Sequence, residues 1–312
     1  MRNKHSWRDS RENTSSAGIR FVLFVRRLLG KKAAYRLASA VAFFAWAFSP
    51  RLRGISNDYF GRLKHFAAGR GVSLPNVSSR RHIARFAESM LDRLLAWRGE
   101  TVFEDFISKD GGLELALSVA KSNKGAFIVC SHIGNAEIFR AVNRFSVGKK
   151  LTVLMLAEHN RKFMELIKSM SAESTEAQAE IMSVDEITPA TAVELSQRAQ
   201  NGEWIVMAAD RMLHDGVRCA EVDFLGAKAK LPHGPWILAS LLGIPVYTLY
   251  GLKTEDDKGP SLHFKAWGEI KLRRGSRCED ANALCSRYAS EMEDMLLASP
   301  LDWFNFYPFW EF

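Results

Sequence analysis

The sequence predicts an α/β fold with a central, mostly parallel or mixed sheet flanked by helices and a basic helical extension at the N-terminus. Short apolar runs typical of buried strands lie at 126–131, 151–156, 203–208 and 245–251, with weaker ones at 179–184 and 261–267. Helical patterns fall between or after them, an alternation typical of sheets covered by helices. The first 100 residues hold 20 Lys/Arg and 6 Asp/Glu, a balance of +14, whereas the remaining 212 hold 23 and 29, a balance of −6. We therefore expect a basic helical region over 1–100 and an α/β domain over 101–312.

The first predicted helix covers about 17–48 and combines cations with aromatic side chains. Its last twelve residues, 37–48, carry no charge and end at Ser49-Pro50. Because a membrane-spanning helix needs about 20 apolar residues, this segment is too short to cross a bilayer alone. We expect it to lie in the interface of an anionic membrane, with the aromatic side chains of Phe43, Phe44, Trp46 and Phe48 in the apolar layer. The alternative is an amphipathic helix that packs on its own domain. No small-residue cleavage site follows, so a signal peptide is not expected.

Further helices are predicted at about 53–69 and 80–98, and the second of these is rich in arginine. A basic surface of this kind suits anionic lipid or an acidic carrier protein. No C₂H₂ pattern or aromatic-studded RNA-binding strand accompanies it, so we do not expect a nucleic-acid partner. In the α/β region, helical patterns cover 112–122, 135–145, 161–170, 187–200, 232–242 and 279–298.

The last twelve residues, 301–312, include seven aromatic side chains. They predict either a tail that covers one end of the core or a segment that contacts lipid. The four cysteines contain no C-x-x-C pair, which favours a reducing compartment and predicts neither disulfides nor a metal site.

The most informative motif is Ser131-His132-Ile133-Gly134-Asn135-Ala136-Glu137, which follows the apolar run 126–130. We expect the strand to end near Ser131, so that His132 lies in a strand-to-helix turn with Asn135 as the helix cap. Ligands of open α/β sheets bind at this end of the strands. Glu137, in the first helical turn, is then placed to bond the imidazole and raise its basicity, and the start of the helix offers free N–H groups to an oxyanion. The same pattern also fits a histidine that only stabilises a turn.

Several common catalytic motifs are missing from the chain. It contains no G-x-S-x-G, G-x-G-x-x-G, G-x-x-x-x-G-K-[ST] or H-E-x-x-H pattern. Adjacent residues of an extended strand point to opposite sides, so Ser131 is not expected to be the nucleophile for His132. A base without a protein nucleophile indicates that the substrate brings its own hydroxyl or amine.

A second group of polar residues follows the strand at 203–208. Asp210-Arg211 stands at its carboxyl end, where it suits a phosphate or an acceptor, although a surface ion pair is the simpler alternative. Pro232 and Gly234 begin the helix at 232–242, whose amino end also suits an anion.

Taken together, these motifs resemble a known family. His132-x4-Glu137 is similar to the H-x4-D/E signature of the lysophospholipid acyltransferase superfamily. The later motifs Asp210-Arg211, Phe224-Leu225-Gly226, Ala229 and Pro232-x-Gly234 resemble its lipid A biosynthesis (late) acyltransferase branch. The resemblance runs from about residue 20 to the aromatic tail.

The resemblance implies that His132 is the base that deprotonates an acceptor hydroxyl or amine, with Glu137 orienting it. The acceptor then attacks the thioester of an acyl carrier protein or coenzyme A, which serves as co-substrate without any further cofactor. The acceptor is a lipid or lipid-like molecule, and the location is the cytoplasmic face of a bacterial inner membrane. The residues that the resemblance places at substrate are Asn135, Arg161, Asp210, Arg211 and Gly234.

Two departures from the family pattern are visible in the sequence. Charges interrupt the usual N-terminal membrane span, and the acceptor-binding arginine motif has its nearest counterpart in Glu158-His159-Asn160-Arg161. Two other functions therefore remain open. One is an acyl ester or thioester hydrolase in which His132 activates water, and the other is a non-catalytic, basic membrane-binding protein that holds lipid.

Overall fold

The structure, a computed structural model, describes residues 16–97, 110–136, 149–155, 179–184, 188–212, 216–253 and 260–311. Its first three helices are α1 (Ser16–Phe48), α2 (Pro50–Gly69) and α3 (Ser79–Trp97). Gly30 interrupts α1 with a backbone φ of 84°, a conformation that favours glycine. Ser49 accepts a hydrogen bond from the backbone N–H of Leu52 and caps α2, and Pro50 occupies the first turn.

The α/β region begins with α4 (Gly112–Lys121), β1 (Ala126–Gly134), β2 (Leu151–Met155) and β3 (Ala179–Ser183). It continues with α5 (Pro189–Gln200), β4 (Trp204–Ala208), β5 (Cys219–Phe224), β6 (Ala227–Pro232) and α6 (Gly234–Leu242). The last elements are β7 (Pro245–Lys253), β8 (Pro260–Glu269) and α7 (Arg277–Ala298). All six predicted strands are present as β1, β2, β3, β4, β7 and β8. The helices predicted at 135–145 and 161–170 fall almost wholly outside the described residues.

Six strands form one mixed sheet in the order β3-β2-β4-β1-β7-β8. The contacts among β3, β2, β4, β1 and β7 are parallel, and β8 pairs antiparallel with β7. The predicted α/β class with a mostly parallel or mixed central sheet is therefore confirmed. Strand β1 lies between β4 and β7, which places its carboxyl end in the middle of the sheet edge where α/β proteins bind ligands.

The hairpin of β5 and β6 was not predicted from the sequence. Its two strands pair antiparallel apart from the main sheet, around a turn at Leu225 and Gly226. Leu225 takes a positive φ of 51°, and its N–H donates to the carboxylate of Glu293 on α7 at 2.7 Å. The hairpin is thus attached to α7 at its turn.

Helices cover both faces of the sheet. On one face, α4 packs on alternate residues of β1 and β8, including Ile128, Leu262 and Phe264. On the other face, a larger apolar core joins the sheet to α2, α6, α7, the hairpin and the C-terminal tail. The residues of the tail that are buried in this core include Leu301, Trp303 and Phe309. The tail therefore covers the core, as one of the two sequence interpretations expected.

Helix α1 packs on α3 through small residues. Ala34 lies buried against Leu91 and Leu95, and Ala38 and Ala42 follow it along the same face. Trp46 is half-buried, and its indole N–H donates to Ser79 at 3.2 Å, so it does not join the exposed aromatic residues as the sequence suggested. No helix within the described residues is both long and apolar enough to span a bilayer. The predicted boundary near residue 100 lies among residues 98–109, outside the described part.

Candidate active site

His132 lies within the last three residues of β1. The strand continues to Gly134, so the expectation that it ends near Ser131 is wrong. Beyond Cys130 the chain pairs with the C-terminal tail: Gly134 N–H donates to the carbonyl of Asp302 at 2.7 Å, and Phe304 N–H donates to the carbonyl of His132 at 2.8 Å. The backbone of His132 is therefore held by the tail instead of standing in a free turn.

Asp210 is the hydrogen-bonding partner of His132. It follows β4, which pairs in parallel with β1, so the two strands deliver both side chains to the same edge. The Nδ1 of His132 lies 2.9 Å from Asp210 Oδ1, and the backbone N–H of His132 donates to Oδ2 at 2.9 Å. Because an ionised carboxylate only accepts hydrogen bonds, this contact places the ring proton on Nδ1 and leaves Nε2 as the basic nitrogen. The Asp210 side chain is fully buried, whereas that of His132 is 33% exposed.

Two further residues complete the cluster around Asp210. Asn305 of the tail donates its amide N–H to Asp210 Oδ2 at 2.9 Å and accepts a hydrogen bond from Arg211 Nε at 2.6 Å. Arg211 also donates to the carbonyl of Phe304 at 3.1 Å and lies over the ring of Tyr307. Sequence reasoning missed Asn305, whose only signal is an amide between two phenylalanines.

The electrostatics of the pair favour a neutral imidazole beside an ionised carboxylate. Burial and the charge of Arg211 lower the pKa of His132 below its ordinary value of 6.5, while Asp210 works in the opposite direction. Burial alone would raise the pKa of Asp210, but His132 and Arg211 hold it well below its usual range. At neutral pH the histidine is therefore unprotonated and able to accept a proton.

The other residues proposed from the sequence differ in how the structure places them. Glu137 and Arg161 lie outside the described residues. Asn135 is buried directly after β1, and its N–H donates to the carbonyl of Gly251 at 2.8 Å. The N–H groups of Gly134 and Asn135 are thus bonded within the protein, whereas the helix start that the sequence offered to an oxyanion lies almost wholly outside the described residues. Gly234 begins α6, and in the described part of the chain no hydrogen bond joins this helix start to His132 or Asp210.

A cavity of about 260 Å³ opens beside this cluster. It lies between the start of α2 and the tail, and its wall includes Asn305 and Tyr307. A molecule bound there would lie against Asn305, the residue whose amide bonds to Asp210.

Fold and site together define an α/β protein with a histidine–aspartate pair at the carboxyl edge of its sheet. The chain matches the family model for bacterial lipid A biosynthesis acyltransferases over residues 90–311, and it belongs to that family. The resemblance drawn from the motifs is thereby confirmed, and the family assigns the chain to the acyltransferases. A search of curated proteins finds no match.

Proposed function

We propose that this protein moves a fatty acyl chain from the thioester of an acyl carrier protein, or of coenzyme A, to a hydroxyl or amine of a lipid or lipid-like acceptor. The observation that carries the proposal is the bond from His132 Nδ1 to the buried carboxylate of Asp210, 2.9 Å long. That bond orients the imidazole and leaves Nε2 for the acceptor. Membership of the lipid A acyltransferase family supports the same type of reaction.

In the proposed reaction the acceptor is the nucleophile. His132 Nε2 takes the proton of the acceptor O–H or N–H while the acceptor atom attacks the thioester carbonyl carbon. The tetrahedral intermediate collapses, the C–S bond breaks, and the departing thiolate takes the proton back from the imidazolium. Asp210 stabilises the imidazolium between these steps, as carboxylates do in other base-catalysed acyl transfers.

Around this pair we assign supporting roles. Asn305 donates a hydrogen bond to the Asp210 carboxylate, and the charge of Arg211, which bonds to Asn305, helps to keep that carboxylate ionised. Glu137 remains proposed as a carboxylate that orients and stabilises His132, and Asn135, Arg161 and Gly234 remain proposed contacts to substrate.

We also propose that the protein works at the cytoplasmic face of a bacterial inner membrane. The apolar side chains that α1 exposes suit an interfacial position, and the cations beside them suit anionic headgroups. We call these residues the α1 apolar patch: Phe24, Leu28, Leu29, Val41, Phe43, Phe44 and Phe48. The net charge of +14 in residues 1–100 equally suits an acidic carrier protein as donor partner.

The test is acyl transfer by the full-length protein, with acyl carrier protein thioesters as donors and a lipid extract as acceptor. His132→Ala is expected to lower the rate by about 10²- to 10⁴-fold, the usual contribution of a general base, with an unchanged thermal unfolding midpoint. His65→Ala, which removes an exposed histidine on α2, is the matched control and is expected to keep the wild-type rate.

Transfer that survives His132→Ala would contradict the proposed base. Release of free fatty acid that added acceptor does not suppress would instead support the hydrolase. Mass spectrometry of the product identifies the acceptor.

A further inference from the structure

Two polar groups on α3 are buried without a hydrogen-bond partner in the described part of the chain. They are Nη1 of Arg85, whose side chain is 12% exposed, and Oγ of Ser89, a residue 6% exposed. A buried donor without a partner lowers the stability of the fold, and proteins seldom carry two such groups on one helix face without a use for them. The pair therefore needs a functional explanation.

The spacing of the two residues lets them reach one ligand. Residues four apart on a helix lie on the same face, with roughly 5–6 Å between their Cβ atoms. A guanidinium group and a hydroxyl at that spacing can both donate to the oxygens of one tetrahedral anion. Guanidinium is the cationic group whose planar set of donors best matches phosphate.

Asp302 positions Arg85 without occupying all of its donors. Its carboxylate lies 3.9 Å from Arg85 Nε, beyond hydrogen-bonding distance. The same carboxylate already accepts hydrogen bonds from the N–H of Lys253 and the hydroxyl of Ser299, each at 2.8 Å. The buried guanidinium thus has an ionic contact with Asp302, and its Nη1 makes no hydrogen bond within the described residues.

This face of α3 lies beside the His132 site. The carbonyl of Asp302 accepts the hydrogen bond from Gly134 that positions the end of β1. Phe86, next to Arg85, contacts Phe304, the residue bonded to the backbone of His132. Arg93, two turns beyond Arg85, is close enough that its charge lowers the pKa of His132. An anion on Arg85 and Ser89 would therefore bind within reach of the catalytic pair.

We infer that Arg85 and Ser89 bind a phosphate group of a substrate and so anchor that substrate beside His132. The inference rests on the proposed acyl transfer and names one chemical feature of its substrates. A phosphate has two possible sources, the phosphopantetheine arm of the thioester donor and the acceptor lipid.

The first experiment measures binding alone, which does not depend on the reaction. Full-length wild type, Arg85→Gln, Ser89→Ala and Arg80→Gln are titrated calorimetrically with inorganic phosphate at constant ionic strength. Arg80→Gln is the matched control because it removes the same charge from an exposed position of the same helix. We expect Arg85→Gln to weaken binding about 10- to 100-fold and Ser89→Ala to weaken it less, while the control binds like the wild type. Equal binding by wild type and Arg85→Gln would overturn the inference.

The second experiment finds the source of the phosphate. KM is compared for acyl-coenzyme A and for acyl-N-acetylcysteamine, which carries the same thioester without phosphate, and for acceptors with and without a phosphate. A rise in KM for Arg85→Gln that is confined to acyl-coenzyme A assigns the site to the donor, and one confined to phosphorylated acceptors assigns it to the acceptor. An equal rise in KM for substrates with and without a phosphate means that Arg85 has only a structural role, and it overturns the inference.

The two proposals can fail separately. If His132→Ala abolishes transfer while Arg85→Gln changes neither binding nor KM, the function stands and the phosphate site is wrong. If the wild type transfers no acyl group but Arg85→Gln loses phosphate binding, the site stands and the function is wrong.

Discussion

His132 contacts Asp210 through Nδ1, and the proposed reaction leaves Nε2 for the acceptor. Asp210 accepts from Nδ1 and also from the backbone N–H of His132, so both the tautomer and the position of the ring are determined by one carboxylate. Arg211, bonded to that carboxylate through Asn305, works against protonation of the imidazole. Burial and the balance of these two charges therefore set the pKa of His132.

We expect Asp210→Asn and Arg211→Gln to shift the acid limb of the kcat/KM profile in opposite directions. The base must be neutral, so the rate falls as the pH drops through the pKa of His132, which lies below 6.5. Asp210 raises that pKa and Arg211 lowers it. Removing the carboxylate therefore moves the limb to lower pH, and removing the guanidinium moves it to higher pH.

The control for this prediction is Arg211→Lys, which keeps the charge and is expected to leave the limb near its wild-type position. The measurement is kcat/KM across the acid range, with circular dichroism confirming that each variant is folded. Shifts in the same direction would contradict the roles given to the two residues.

At the scale of elements, α1 has two apolar faces with different partners. Ala34, Ala38 and Ala42 are buried against α3, whereas Phe44 and Phe48 point away from the protein, the latter with 81% of its surface exposed. A face of this size that packs on nothing within the described residues, next to several lysines and arginines, is typical of a helix that binds the membrane interface.

We expect Phe44→Glu/Phe48→Glu to release the full-length protein from anionic vesicles while its fold is retained. The two new charges oppose both the insertion of the helix and its attraction to anionic lipid. Co-sedimentation with phosphatidylglycerol vesicles is the measurement, and Leu241→Glu, at an exposed apolar position on α6, is the control. A double variant that still sediments with vesicles would rule out the α1 apolar patch as the membrane contact. These substitutions change only exposed side chains. Deleting residues 1–50 would also remove Ala34 and so expose Leu91 and Leu95 on α3.

At the scale of the whole molecule, the C-terminal tail joins the helical layer to the active site. Trp303 is 1% exposed and packs on Tyr59 of α2, Phe224 of β5 and Phe309. Its backbone carbonyl bonds to His82 of α3, and the residues on either side of it bond to β1. Stability and the geometry of the site therefore depend on the same segment.

We expect Trp303→Ala to lower the free energy of unfolding by about 3–5 kcal/mol, the usual cost of emptying a buried aromatic position. Acyl transfer is expected to fall with it, because Asp302 and Phe304, the two neighbours of Trp303, bond to the end of β1. Denaturant unfolding and activity are measured on the same preparations. Trp310→Ala, at a half-buried position of the tail, is the control and is expected to cost less. Full stability and activity of Trp303→Ala would contradict this account of the tail.

Local patterns were enough to predict most of the elements and that His132 lies near the carboxyl end of a strand, although not that β1 continues past it to Gly134. Apolar runs and helical periodicity depend on neighbouring residues only, which explains why the six strands of the main sheet were predicted. The β5–β6 hairpin was missed, although Lys228 and Lys230 alternate with Ala229 and Leu231 in the period of a half-buried strand. That run of four residues is short, and it lies between Phe224-Leu225-Gly226 and Pro232-x-Gly234, which we interpret as family motifs.

The partners of His132 depend on the tertiary structure. Asp210 is 78 positions away along the chain and reaches the imidazole because β4 pairs in parallel with β1. Asn305 is a further 95 positions on and arrives because the tail pairs with the end of β1. Composition and spacing indicate which residues can do chemistry and where strands end. Only strand order and the course of the tail decide which of those residues meet, because hydrogen bonds require contact in space.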